Sequence, residues 1–397
     1  MKSSRILSFF IFLLVVDVLL DPGNLILGIK ELLFVSIFII WLATKPIRLD
    51  LAYFYLILFV ALILPLYGLL IGLIRQENFI LSESLQYFKG FIFFSLLLVT
   101  TSKRIDISKF LIYGGFIIAL ITIWLFIDIK EFSLDESYYL VEKRAATISK
   151  RAFANILFDP VVFYKTSPVL LFPLSYFLDR SETKITVWNI LAIILFTSAL
   201  IISATRANIL SAGILILLFL YNKIKHRWRI ILYILVPLTI IVSLILLPDF
   251  FRTYVFNPNE ISNSIKIGHL QSYITLFRND FLSFVFGQGM GAGFYSFALD
   301  EIVFKTELTY LEMIRMFGFL FTSVFIFILA LPVYIFHRNS NSKQFTRYRY
   351  IHKAYFLYLI LEISSNPLLI GSTGMIVIVA VFSAAFILNK STENESS

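Results

Sequence analysis

The sequence contains no cysteine. Disulfides, thiolate metal sites and a cysteine nucleophile are therefore excluded, while the compartment is left open. Histidine is scarce, with four residues in 397. His226, His337 and His352 lie in basic stretches, which leaves His269 as the one histidine set apart from them. No Asp-x-Asp pair stands near the long polar segments, so neither a nucleotide-bound substrate with its divalent ion nor any other metal or cofactor is expected. The apolar segments do not alternate over about 10 residues, which excludes a membrane barrel. No internal repeat of the kind that marks many secondary transporters is visible. No small-residue cleavage site follows the first apolar run. Asp21, Pro22 and Gly23 come next, so that run is expected to be retained rather than removed as a signal peptide.

Apolar residues are abundant. They make up 59% of the chain, and its mean hydropathy is +0.87. Soluble domains usually carry about 45–50% apolar residues. The excess falls in runs of about 15–25 residues, long enough to cross a hydrocarbon core as helices. The expected fold is an all-α, polytopic transmembrane bundle of about 10–12 spans. Spans are predicted at 5–20, 25–43, 51–74, 84–101, 107–128, 161–178, 186–203, 207–222, 229–247, 306–336, 353–365 and 371–388. The second is weakened by Lys30 and Glu31, the fourth by Lys89, and the eleventh by its shortness. Residues 1–390 then form a single membrane domain, followed by a polar, disordered tail at 391–397.

The net charge is +9. In a soluble protein that would suggest nucleic acid. Here the cations collect in short loops, above all Asn222–Arg229 and His337–Lys353, which fall on one side of the predicted bundle. The positive-inside rule makes that side cytoplasmic and puts both termini there, with no nucleic-acid partner. Two long segments, 129–160 and 248–305, fall on the outer side. They hold many aromatic residues (Phe250, Phe251, Tyr254, Tyr273, Phe277) and are expected to form short helices packed at the membrane surface.

Candidate chemistry gathers on that outer side. In Ser203-Ala204-Thr205-Arg206-Ala207-Asn208 a tight turn holds Arg206 at headgroup depth. An ionisable group there is a functional candidate, with an anchoring cation as the plainer alternative. Between Ser264 and Tyr273, Lys266, His269 and Tyr273 share one helical face, which suits an anionic, hydroxyl-rich ligand or a merely wetted helix. Phe286-Gly287-Gln288-Gly289-Met290-Gly291-Ala292-Gly293 lacks the strand and helix of a nucleotide fingerprint. It reads as a turn in which backbone approaches a ligand, or as glycines that only permit positive φ. Glu312 and Arg315 are expected to neutralise each other, which leaves Glu307 nearer the surface for chemistry. Lys143, Arg144, Lys150 and Arg151 form a basic strip for phosphate or headgroups, and Lys165 stands just inside the sixth predicted span.

These motifs, in this order, resemble the O-antigen ligase and polymerase superfamily, most nearly the Wzy-type polysaccharide polymerases. The resemblance rests on Ser203–Asn208, on Lys266–Gly293, and on Tyr310-Leu311-Glu312 followed by Arg315 and Gly318. It implies a C-type glycosyltransferase in a bacterial cytoplasmic membrane. Such a protein polymerises undecaprenyl-diphosphate-linked oligosaccharide repeats into O-antigen or capsular-type polysaccharide, together with a chain-length regulator and membrane lipid. It further implies a catalytic role for Arg206, at the family's Ser/Thr-x-x-Arg position, without a metal. The residues themselves add His269 and Glu307 as catalytic candidates and Lys266, Tyr273, Lys165 and Arg151 as substrate contacts. Ligases typically carry an Arg before an aromatic in the long loop and a His ahead of the Tyr-Leu. This chain has Lys266 and His269 near the first position and Thr306-Glu307 near the second, which favours polymerase over ligase. A polysaccharide flippase is the rival from another class, and would line a midplane cavity with charge.

Overall fold

The computed structural model describes residues 2–44, 50–75, 78–131, 145–153, 156–223, 261–365 and 367–396. The predicted ninth span, 229–247, and the first part of the second outer segment lie outside the described residues. The chain is mainly helical. In order it forms α1 (Lys2–Leu20), α2 (Lys30–Ala43), α3 (Leu51–Arg75), α4 (Leu81–Lys103) and α5 (Ser108–Glu131). A hairpin of β1 (Ala146–Phe153) and β2 (Ile156–Tyr164) follows, then α6 (Leu171–Thr183), α7 (Val187–Ile202) and α8 (Arg206–Lys223). After the undescribed stretch come α9 (Ile261–Asn279), α10 (Phe281–Phe286), β3 (Phe294–Ser296) and β4 (Glu301–Val303). The chain ends with α11 (Thr309–Arg338), α12 (Arg349–Leu357, continued through a π-helical turn at Tyr358–Glu362) and α13 (Ser372–Ser396).

Among the described residues, α3, α4, α5, α11 and α13 are the five helices long and apolar enough to cross a membrane. Large apolar side chains lie bare on the outside of the bundle, including Ile74, Val187, Trp188, Leu191 and Phe327. Water would not tolerate so much contiguous apolar surface, whereas lipid covers it without cost. The chain is thus a helical membrane protein. The axis of the bundle is α13, which packs against α1, α4, α5 and α11. Every side chain from Met375 to Phe382 is buried, as expected of a helix that is apolar on all faces.

The helix ends meet in two polar layers. One layer is a basic network. Arg349 and Lys353 reach Asp179 and Glu182 at 2.6–3.4 Å, Lys223 Nζ donates to the Glu182 carbonyl, and Lys103 Nζ donates to the Thr44 carbonyl. Here α13 continues through the tail read as disordered. Lys390 pairs with Glu393 and Asp50, and the Thr392 hydroxyl donates to Asn339, which holds the last turns in helical form.

The opposite layer differs from expectation in its first long segment. It forms an antiparallel hairpin, Ala146 facing Tyr164 and Arg151 facing Phe158, with a bulge between Ser149 and Arg151. Val161, Val162, Phe163 and Tyr164 are strand formers, and a short apolar run of this kind fits a strand as readily as a helix. The sixth predicted span therefore begins ten residues late, at Leu171, after a 3-10 turn started by Ser167-Pro168. The hairpin is tied down by the Tyr164 hydroxyl on the Leu20 carbonyl and by Thr166 on Leu19. The second long segment does supply surface helices, α9 and α10, and adds the β3–β4 hairpin. Together they form a cap. Arg75 pairs with Asp280 at 2.6 Å, and the Tyr67 hydroxyl donates to the Phe286 carbonyl, so the cap is fastened to α3.

The glycine-rich turn is part of that fastening. Gly289 has φ +97°, and a Cβ there would lie 2.1 Å from the Gly72 nitrogen. Met290 N donates to the Gly68 carbonyl of α3. The backbone of this turn thus approaches another backbone rather than a ligand. Gly318 breaks α11 with φ +75° and ψ 165°. A Cβ there would strike the Val285 carbonyl oxygen, so the kink is where the turn passes. Beside it, Glu312 and Arg315 are fully buried and bond at 2.6 Å, the mutual neutralisation expected from their spacing.

Candidate functional site

Beneath the cap lies a cavity of about 1240 Å³. Its walls come from α2, α4, α8, α9, the end of β2, the loop before α13 and the strip between β4 and α11. Six cations line it, namely Lys30, Lys89, Lys165, Arg206, Lys266 and Lys305, against three carboxylates, Glu31, Glu83 and Glu307. Drug-sized ligand pockets run to about 300–1,000 Å³, so this one has room for more than one such group.

Arg206 is positioned by its own turn. Ala204 takes φ +43°, a left-handed conformation that costs a non-glycine residue about 1 kcal/mol or more. A buried polar nest holds it there. Ser203 Oγ donates to the Leu200 carbonyl at 2.6 Å. The Asn208 amide, oriented to satisfy both its ends, accepts from the Ser167 and Thr205 hydroxyls at 2.7–2.9 Å and donates to Glu362 at 2.9 Å. Ser211 adds a 3.0 Å bond to Glu362. The carboxylate comes from the π-helical turn of α12, a distortion frequent at functional sites. With Ser203, Thr205 and Asn208 turned inward, Arg206 faces the cavity at the N-terminus of α8, where the helix dipole adds to its positive field. Its Nη1 donates to Asn263 Oδ1 of α9 at 2.7 Å.

The cap brings Lys266 to the same wall, 3.8 Å from Glu307. The strip Lys305-Thr306-Glu307 alternates as an extended chain does. Lys305 and Glu307 face the cavity, whereas Thr306 is buried and bonds the Tyr273 hydroxyl at 2.6 Å. That hydroxyl also donates to Glu312 at 2.5 Å. Burial lowers the Lys305 ammonium below the ordinary lysine range, opposed by the charges of Glu312 and Glu83. Lys305 reaches solvent through the cavity and is otherwise closely surrounded.

The structure therefore gathers Arg206, Lys266, Lys165 and Glu307 around one cavity. It sets His269 and Tyr273 apart, both buried under the cap and neither lining it. His269 Nδ1 lies 3.0 Å from the Ser296 hydroxyl. Burial lowers the imidazole below its usual range, against the pull of Glu307 and Glu312. Lys266 and His269 do not share a binding face because α9 lies across the β3–β4 hairpin, which takes the His269 side of the helix. The Arg151 backbone belongs to β1, while its side chain and those of Lys143, Arg144 and Lys150 lie outside the described residues.

The sequence reading missed Lys30, Lys89, Glu83, Lys305 and Glu362. Four of them carried a usable signal, being charges inside or at the edge of apolar helices, which are functional candidates by default. Lys30 and Lys89 served only to weaken span assignments. No family model, curated protein or solved structure matches the chain.

Proposed function

We infer that this chain is a glycosyltransferase that polymerises lipid-diphosphate-linked oligosaccharide repeats at the outer face of a bacterial cytoplasmic membrane. The observation that carries the reading is the convergence of Arg206, Lys266 and Lys165 in one large cavity, at the end of the bundle opposite the basic network. The positive-inside rule makes the basic end cytoplasmic, so the cavity opens at the outer headgroup level. With the apolar run 229–247 counted as a crossing, the chain spans the membrane about twelve times, and both termini are cytoplasmic. The motif order of a Wzy-type polymerase supports the same reading.

In this reading the donor diphosphate rests against Arg206, Lys266 and Lys165. The guanidinium offers two parallel hydrogen bonds to phosphate oxygens, which an ammonium cannot copy. As the glycosyl bond breaks, negative charge grows on the leaving oxygen, and preorganised cations stabilise that charge more than they stabilise the bound donor. Asn263 steadies the guanidinium from the cap. Glu307 holds Lys266 at this wall. Loss of one such contact is expected to slow transfer by about 100- to 1,000-fold. Arg206→Ala should collapse the polysaccharide ladder on a sugar-stained gel to single repeats, at normal abundance of the protein in membranes. Arg206→Lys should remain badly impaired although the charge is kept. A ladder of normal length from well-expressed Arg206→Ala would return Arg206 to the part of an interfacial anchor.

A further inference from the structure

The three carboxylates that line the cavity differ in their surroundings. Glu31 accepts a 2.5 Å hydrogen bond from Asn24 Nδ2. Glu307 pairs with Lys266, on the wall that carries Arg206. Glu83 stands in the first turn of α4, on another wall. Among the described residues Glu83 makes no hydrogen bond and no ion pair within 4 Å, although Lys305 feels its charge. A carboxylate that lines a cavity and lacks a bonded partner is available to one from the ligand.

The strip Lys305-Thr306-Glu307 joins the two walls. At one end Lys305 interacts with Glu83, and at the other Glu307 pairs with Lys266. Thr306, between them, is anchored in the core by Tyr273. Charge is therefore divided across the cavity. The Arg206 wall holds three cations and one acid, Glu307, whereas the wall of α4 and α2 is mixed, with Lys30, Lys89 and Lys305 beside Glu31 and Glu83. A diphosphate belongs on the first wall. A hydroxyl-rich, uncharged sugar fits the second, where both donors and acceptors are present.

Displacement at a sugar carbon needs a proton acceptor beside the attacking hydroxyl and away from the leaving group. Glu307 is poorly suited to this work. It lies on the diphosphate side, where its negative charge would oppose the leaving group, and Lys266 already occupies it. We propose that Glu83 is the catalytic base of the transfer and that the α4 wall is the acceptor subsite, an assignment that rests on the glycosyltransferase reading above. The acceptor hydroxyl oxygen forms a bond to the anomeric carbon of the donor. The bond from that carbon to the diphosphate oxygen breaks, and its electron pair leaves with the diphosphate. The hydroxyl proton passes to a Glu83 carboxylate oxygen and from there to water.

The test separates binding from turnover. The gene is deleted in its own host and restored as wild type, Glu83→Gln or Glu83→Asp. Ladder length is read on a sugar-stained gel, and each protein is purified to measure its affinity for farnesyl diphosphate as a probe of the Arg206 wall. Glu83→Gln is expected to slow elongation at least about 100-fold, the scale of a lost general base, with probe affinity kept within about twofold. Glu83→Asp should retain short ladders, since a carboxylate is still present. A wild-type ladder from Glu83→Gln overturns the assignment and leaves the transferase reading standing. Loss of probe affinity along with the ladder also overturns it, because the defect would then lie in binding or folding. If the wild-type gene restores no ladder to the deletion strain, the transferase reading itself falls.

Discussion

His269 lies under the cap with its Nδ1 3.0 Å from Ser296 Oγ. Burial favours the neutral ring, so its folded pKa lies below the ordinary 6.5, although Glu307 and Glu312 pull the other way. A group depressed in this way adds stability above its unfolded value, and that stability drains away as pH falls towards the folded one. The cap should therefore loosen below about pH 6.5. The prediction is faster hydrogen exchange of the α9 backbone at pH 5.5 than at 7.5, beyond the intrinsic pH effect. His269→Gln, which keeps a polar side chain without a titrating ring, should abolish that extra change. Equal pH sensitivity in the variant would mean that another group controls the cap. The neighbouring Glu312 and Arg315 side chains are wholly buried and bonded to each other. Removing either partner would strand a charge at a cost of about 3–5 kcal/mol.

Among elements, the contact between the glycine turn and α3 offers the sharpest contrast. Gly289 combines φ +97° with a Cβ position 2.1 Å from the Gly72 nitrogen. Gly213, inside α8, has nothing within 4 Å of its added Cβ. Gly289→Ala is thus expected to lose at least about 1–3 kcal/mol from backbone strain alone. Gly213→Ala should gain about 0.5–1 kcal/mol from helix propensity. Thermal unfolding of the two detergent-solubilised variants reads the difference directly, and a Gly289→Ala protein as stable as wild type would show that the turn can move away from α3. Sequence alone read these glycines as a turn in which backbone approaches a ligand, or as mere permission for positive φ, and nothing in it told that they meet the backbone of α3. The long helices were far more legible. The run at 51–74 became Leu51–Arg75 and that at 107–128 became Ser108–Glu131, because about 20 consecutive apolar residues admit few other structures. The hairpin was not legible, since an apolar run as short as Val161–Tyr164 has no distinguishing period. The site was half legible. Arg206, Lys266 and Glu307 stood out by position along the chain. Glu83 and Lys89 were visible as charges in an apolar helix, but that they share a cavity with Lys305 shows only when α4 and the 305–307 strip face each other.

At the scale of the whole molecule, the proposed function depends on which end of the bundle faces the cell interior. The two ends are chemically unlike. One carries the cations of Arg347, Arg349, Lys353 and Lys390, bound to acids of neighbouring helices. The other carries the cap and the cavity. Lys and Arg near span ends are retained on the cytoplasmic side during insertion, so the cap end should lie outside. The absence of native cysteine makes a clean test possible, because any single introduced thiol is the only one present. Ser264, exposed on α9, and Asn341, exposed in the turn after α11, mark the two ends. In intact spheroplasts a membrane-impermeant maleimide should label Ser264→Cys and spare Asn341→Cys. Permeabilised cells should label both, which guards against a merely buried thiol. The reverse pattern in intact cells would place the cavity in the cytoplasm. A diphosphate-lipid substrate presented at the outer face could not then reach Arg206, and the polymerase reading would fail on topology before any chemistry was measured.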